Sequence, residues 1–432
     1  MEKNKIIVFW FRRDLRLDDN AGLARALALG YPVLPIFIFD EEILKQLEDK
    51  RDRRLHYIHQ ALTRINTILG ESGATLNTFY GKPIAIYRDL VEKFDVQGVY
   101  CNRDYEPMAI ARDKEIFEFC QAKGIPFKAV KDQVIFDKAD ILKNDGTPYT
   151  VYTPYAKKWR EKLRPEDHRS YTYAMESFVQ QKHQQIISLE NLGFLETDLS
   201  FKEPHLDATI IDHYDKTRDY PALMGTTHLG IALRFGTISV RRCVTFAFKH
   251  NATWLSELIW REFFMQILYH YPHVVTESFR KQYDAIQWRN DEVEFQQWCE
   301  GQTGYPLVDA GMRQLNTSGY MHNRVRMVVA SFLCKHLLID WRWGEAYFAQ
   351  KLNDYDLSAN NGNWQWASGS GCDAAPYFRV FNPTLQAEKF DKNQEYIKQW
   401  VPELGTPAYC EPMVDHQIAR DRAIKTYAKA LK

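Results

Sequence analysis

Five short stretches of the chain gather side chains that an ordinary amphipathic helix has no need to combine. In "TWLSELIWREFF", Trp254, Glu257 and Trp260 recur every third residue and Arg261 follows. That spacing puts two indoles and a carboxylate on one broad helical face, with a guanidinium at its margin. Two chemistries fit. One is an exposed ion pair between the carboxylate and an arginine, which is common and weak; the other is the wall of a pocket for a flat ligand, with Glu257 as its hydrogen-bonding edge. "MHNRVRM" sets Asn323, Arg324, Arg326 and Met327 within two turns, and the planar arginine fork suits phosphate or carboxylate. "NDYDLSANN" supplies Asp354 and Asp356, either as acceptors of a site or as the cap and acidic first turn of a helix. "GTTHLGIALRFG" places hydroxyl residues before a helical run whose unpaired N–H groups suit phosphate, an arrangement that threonine capping explains as well. Finally, "ANNGNWQW" (359–366) joins cap-favouring asparagines to two indoles whose N–H groups need partners. On a helix, Trp364 and Trp366 point roughly 200° apart, as serving two different neighbours requires.

Holding these residues falls to two different kinds of domain. Residues 1–135 alternate short apolar runs ("IIVFWF", "VLPIFIFD", "TLNTFYG", "GVYCN" and, over 126–136, "PFKAVKDQVIF") with helical stretches. This is the pattern of βαβ units, and it predicts a Rossmann-like α/β domain with a parallel sheet covered on both faces. Neither GxGxxG nor a P-loop is present, so nothing anchors an NAD or ATP reading. Residues 136–204 lose the periodicity and read as a linker carrying a helix or two. From 205 to 432 the strand signal vanishes and helical periodicity dominates, which predicts an all-helical second domain.

Composition narrows the partners. At 432 residues the chain has room for two substantial cores. Its aromatic content of 14%, with 11 Trp, 24 Tyr and 25 Phe, supplies stacking surfaces and oxidisable rings besides core volume. Formal net charge is zero, so any binding of nucleic acid must come from a local basic groove and not from bulk charge. The seven cysteines are scattered without CxxC pairs or nearby histidine clusters, the pattern of reduced thiols with neither a disulfide frame nor a metal site. No run is long enough to span a membrane, and the apolar stretch near the N-terminus is too short for a signal peptide. The expectation is a cytoplasmic protein.

Together and in this order, these stretches resemble the cryptochrome/photolyase family over nearly the whole chain. "WFRRDLRLDDN" is similar to the family's opening signature. "GTTHLGIALRFGTIS", "WLSELIWREFF", "TGYPLVDAGMRQLNTSGYMHNRVRMVVASFL" and "LSANNGNWQWASGSGCDAAPYFRVFNP" follow as in the family. Among its branches the chain resembles the class I photolyases that repair cyclobutane pyrimidine dimers. The resemblance implies an FAD held in the helical domain by Tyr214, Thr226, Thr227, His228, Leu229, Gly230, Trp254, Arg261, Arg326, Asp354, Tyr355, Asp356 and Asn360. Backbone donors near 226–230 would face the diphosphate, and Gly230 departs from the serine of many members. Asn360 would face flavin N5 with a neutral amide. Asn363 stands where close relatives often carry glycine.

The same resemblance assigns the lesion site and the electron path. Trp260 and Trp366 would wall the flipped dimer, Glu257 would bind its edge, and Asn323 and Met327 would line the pocket beside Arg261. Enzymes for the (6-4) photoproduct are similar but place histidines at the positions of Asn323 and Met327, where an imidazole donates the proton their chemistry requires. A light-sensing cryptochrome is the other alternative. Contacts to UV-damaged DNA are implied for Arg218, Arg324, Arg379, Gln386 and Lys389, chiefly through phosphates. Trp364, Trp341 and Trp288 match the chain of tryptophans that returns electrons to the flavin. Members of the family commonly hold a second, antenna pigment in the α/β domain. The folate type uses an Asn–Glu pair where this chain has Met108 and Ala109, which argues against a folate and leaves the pigment unidentified. The resemblance further implies a monomer with no obligatory protein partner.

Overall fold

A computed structural model describes residues 3–175 and 177–432. Five strands, β1 (Lys5–Phe11), β2 (Val33–Asp40), β3 (Asn77–Gly81), β4 (Asp95–Asn102) and β5 (Phe127–Val130), form one sheet. Their order is β3-β2-β1-β4-β5 and every pairing is parallel. The central strands are buried on both faces, which is why β1 and β2 read as unbroken apolar runs where an exposed sheet would alternate. Ile7, Phe9 and Phe11 feed the core on one side of the sheet, and Ile6, Val8 and Trp10 the core on the other.

The strand expected over 126–136 ends at Val130. Beyond it the Asp132 carboxylate is drawn into a buried network, accepting from Arg16 Nη2 at 2.7 Å, Arg241 Nη2 at 2.8 Å and the Ala21 N–H at 3.1 Å. A carboxylate taken out of water needs such partners, and the chain beyond Val130 leaves the sheet edge to bring Asp132 to them. Where the strand order reverses, Asn102 at the end of β4 bridges Asp14 and Asn20 at 2.6 and 2.7 Å. Its side-chain oxygen accepts the Gly22 N–H at 2.9 Å. A Cβ at Gly22 would stand 2.7 Å from that oxygen, so only glycine allows this approach.

The chain divides into two compact units differently from three consecutive segments. Residues 1–137, 162–206 and 229–249 form the α/β unit, and residues 138–161, 207–228 and 250–432 the helical one. The segment expected to be a linker is therefore shared between the two cores. Its helix Tyr152–Lys162 buries Tyr155, Ala156 and Trp159. In the helical unit the long helix Ala252–His270 runs beside Leu357–Ser368, with Asn323–Ser331 and Trp341–Lys351 completing the frame of the site. Among the described residues no helix is long and apolar enough to cross a membrane, and no cluster of His, Cys, Asp and Glu has the form of a metal site.

Candidate functional site

Two helix starts set the site. Asp356 caps Leu357–Ser368, its carboxylate accepting from the Ser358 and Ala359 N–H groups at 3.1 and 3.2 Å. His322 caps Asn323–Ser331, its Nδ1 accepting from Arg324 N–H at 3.2 Å. Asp354 does not cap; it pairs with Arg326 at 3.0 and 3.2 Å. Asp356 thus takes the cap role open in the sequence, while Asp354 is held in an ion pair.

These starts turn Asn323, Arg326, Met327, Asp354, Tyr355, Asp356, Asn360, Trp364 and Trp366 toward one cavity. Ala330, Phe348, Leu352, Ala359, Asn363 and Ala367 complete its lining. Asn363 lies one turn after Asn360 on the same face, a signal available in the sequence. Its amide donates back to the Ala359 carbonyl at 2.7 Å. Asn360 donates to the Glu345 backbone and side-chain oxygens at 3.0 and 2.8 Å, which leaves its own carbonyl oxygen as the polar atom offered to the cavity. Glu345 was not found from the sequence; burial raises the pKa of its carboxyl, and the bond from Asn360 works against that shift.

The two indoles of "ANNGNWQW" both border this cavity. Trp364 is only 2% exposed, edge-on to Phe348 at 5.0 Å and to Trp298 at 6.1 Å. Trp366 is half-buried. Trp341 shares the core cluster of Trp364, and Trp288 packs half-buried against it.

A second group of expected residues collects at Tyr320, which sequence reasoning missed. The His228 ring lies 4.4 Å from it, Arg326 sits over it at 5.9 Å, and the Thr226 hydroxyl reaches its hydroxyl at 3.4 Å. Partial burial lowers the pKa of His228, and the Asp354 carboxylate works against that shift. Its backbone is left-handed, with φ +51°, a conformation a residue with a Cβ adopts at a cost of about 1–2 kcal/mol. Thr227 follows Thr226 directly and is half-buried. The helix Gly230–Phe235 begins at Leu229 with no side-chain cap, so threonine capping is not what this stretch provides. Leu229 and Gly230 belong to the α/β unit, the other expected flavin residues to the helical one.

A third group carries the charges. Arg218 forms an ion pair with Glu257 and lies over Tyr214. Arg324 pairs with Asp219 at 2.7 Å and sits 4.4 Å over Phe390, which Lys389 approaches at 5.1 Å. Glu257 therefore does form the arginine pair that its sequence allowed, while remaining half-buried on the helix of Trp254, Trp260 and Arg261. Glu257, Trp260 and Arg218 lie outside the lining of the first cavity. Gln386 holds its side-chain oxygen buried without a partner, and Arg379 is exposed.

An apolar cavity walled by Trp364, Phe348 and Met327, with an arginine–aspartate pair and an amide oxygen on its rim, has the donor set for a flat heteroaromatic ring with a polar edge. Residues 7–172 match the DNA photolyase domain, and residues 254–407 match the FAD binding domain of DNA photolyase. The deoxyribodipyrimidine photo-lyase of a Synechococcus strain is 36% identical, over 99% of this chain and 97% of its own. A bacterial class III photolyase from Agrobacterium tumefaciens superposes with TM-score 0.88 at 34% identity, over 100% of this chain and 98% of that one. An archaeal photolyase from Sulfolobus tokodaii, solved with two FAD molecules, superposes with TM-score 0.86 at 35% identity, over 98% and 100%. The chain belongs to the DNA photolyase family. More particularly, it is an FAD-dependent photo-lyase built from an α/β domain and a helical FAD-binding domain.

Proposed function

We propose that this photo-lyase repairs cyclobutane pyrimidine dimers in UV-damaged DNA, with the site residues in the roles the family resemblance implies. The observation that carries the reading is the cavity wall itself. Asn323 and Met327, where an imidazole acid would stand in a (6-4) enzyme, border the same cavity as Asn360 and Trp366. The adjacent His322 is no substitute acid, because burial pushes it down to about 4 and it serves as a helix cap. A pocket without a proton donor at that wall suits a ring that opens by electron transfer alone.

Arg326, Asp354 and Asn360 would hold the flavin through their polar groups, and Trp364 with Phe348 would keep water from it. A bound, reduced FAD would supply the light-driven electron for opening the dimer's ring and would take it back once the ring has split, so no net oxidant or reductant is consumed. Glu257 holds the edge of the extruded dimer, Trp260 and Trp366 wall it, and Arg218, Arg324, Arg379, Gln386 and Lys389 hold the DNA that a flipped base leaves behind. The class I assignment belongs to this proposal, as do the monomeric state and the tryptophan path. Any antenna in the α/β unit is of a type other than folate: Met108 and Ala109 offer no hydrogen-bonding side chain. The test is illumination with blue light of the reduced protein on two oligonucleotides, one bearing a single cyclobutane dimer and one a single (6-4) product. Loss of the first lesion and persistence of the second is expected. Dimers that survive the light would sink the proposal.

A further inference from the structure

Trp260 does not stand alone as an indole wall. The Tyr152 ring lies face to face with it, centroids 3.6 Å apart and planes 5° from parallel. Phe263 meets both rings edge-on, 5.9 Å from Tyr152 and 5.6 Å from Trp260, and Phe264 stacks on Trp260 at 5.5 Å. Left to themselves, two electron-rich rings slide to an offset or edge-on arrangement. Here the tyrosine is fixed at two other points. Its hydroxyl donates to the Ser256 carbonyl at 2.9 Å, one turn before Trp260, and its backbone N–H donates to the Asp373 carboxylate at 3.1 Å. That N–H is the first of a helix and has no partner within it, so the carboxylate also satisfies the helix start.

The rest of this helix is fastened to the same neighbour. Trp159 donates its indole N–H to Glu262 at 2.6 Å, and the Tyr155 hydroxyl donates to the same oxygen at 3.4 Å. Arg160 reaches the Ser256 hydroxyl at 2.8 Å. One face of the helix that starts at Tyr152 is thus fixed along Ala252–His270, with the Tyr152–Trp260 stack at its end.

We infer that Tyr152 is a positioning residue for lesion recognition, holding the Trp260 indole in place before damaged DNA arrives. An indole already ordered spares binding the cost of immobilising it, and that saving counts for the dimer alone, because undamaged DNA sends no base to the wall. The inference rests on the reading that Trp260 contacts the extruded dimer.

The experiment measures equilibrium binding of the FAD-loaded protein to one oligonucleotide with a single cyclobutane dimer and to its undamaged twin. Wild type is compared with Tyr152→Phe, Tyr152→Leu and Tyr152→Trp. Removing the stack in Tyr152→Leu should lower the damaged-to-undamaged affinity ratio by up to about tenfold, from the worth of one aromatic pair. Affinity for the undamaged twin and the FAD content should be unchanged. Tyr152→Phe and Tyr152→Trp, which keep a stacking ring and lose the hydroxyl anchor, should both fall between. A ratio in Tyr152→Leu equal to wild type overturns the inference. So does a higher one, which would make the ring an occupant that the lesion must displace. A wild-type chain that binds both oligonucleotides alike overturns the functional reading itself, so the two failures are told apart.

Discussion

Burial raises the proton affinity of the Glu257 carboxyl, and the Arg218 guanidinium paired with it works in the opposite direction. An acid whose pKa is raised stays protonated to higher pH, so removing Arg218 leaves burial unopposed and raises it further. If the ionised carboxylate binds the dimer's edge, Arg218→Gln should lose discrimination against undamaged DNA at a higher pH than wild type does. Titrating that affinity ratio through the acidic range checks it; a coincident acid limb would separate Glu257 from recognition. At the same scale, Trp288 is the half-buried end of the proposed tryptophan path. Trp288→Phe should slow photoreduction of oxidised flavin by an order of magnitude or more, while chemically reduced protein repairs dimers at the wild-type rate. The types of these residues were legible in the sequence, but their partners were not. Glu257 allowed both an ion pair and a pocket edge, and only the fold brings Arg218 to it from 39 positions upstream.

Glycine in "ANNGNWQW" has its reason one level up. A Cβ at Gly362 would stand 2.2 Å from Phe264, on the helix that also carries Glu257 and Trp260. The glycine lets Ala252–His270 and Leu357–Ser368 approach closely, so the helix with Asn360, Trp364 and Trp366 lies against the one with the expected lesion wall. Gly362→Ala should destabilise the protein by about 1–3 kcal/mol through overpacking, read as a lower thermal midpoint, and should also weaken FAD retention because the two helices must part. Element types were the most legible feature: parallel strands and long helices announce themselves by period. Two elements were misread for a common reason. The last strand was cut short at Val130 by the buried Asp132 network, and residues 136–204 looked like a linker because their anchors, Glu262 and Ser256 among them, are distant in sequence. Polar contacts made at long range leave no periodicity behind.

Across the whole molecule, 56 basic and 56 acidic residues cancel, so no net field draws DNA in and the binding face has to work by local charge. Two of the arginines assigned to that face already hold carboxylates, Arg218 on Glu257 and Arg324 on Asp219. A phosphate therefore competes with a protein anion for either guanidinium, which lowers affinity for DNA in general. At a lesion the exchange at Arg218 has a return, since the released Glu257 carboxylate is the group proposed to bind the dimer. Arg324 has no such return, because Asp219 is assigned no contact to the lesion. Asp219→Asn should then tighten binding to undamaged and damaged DNA by similar factors, about two- to fivefold at low salt, the worth of a partly exposed pair. The ratio between the two DNAs should stay near its wild-type value, and the gain should fade as salt screens the phosphates. Filter binding at two salt concentrations decides it: a gain confined to damaged DNA would place Asp219 within the recognition site, and no gain at all would mean that Arg324 never exchanges its partner for phosphate.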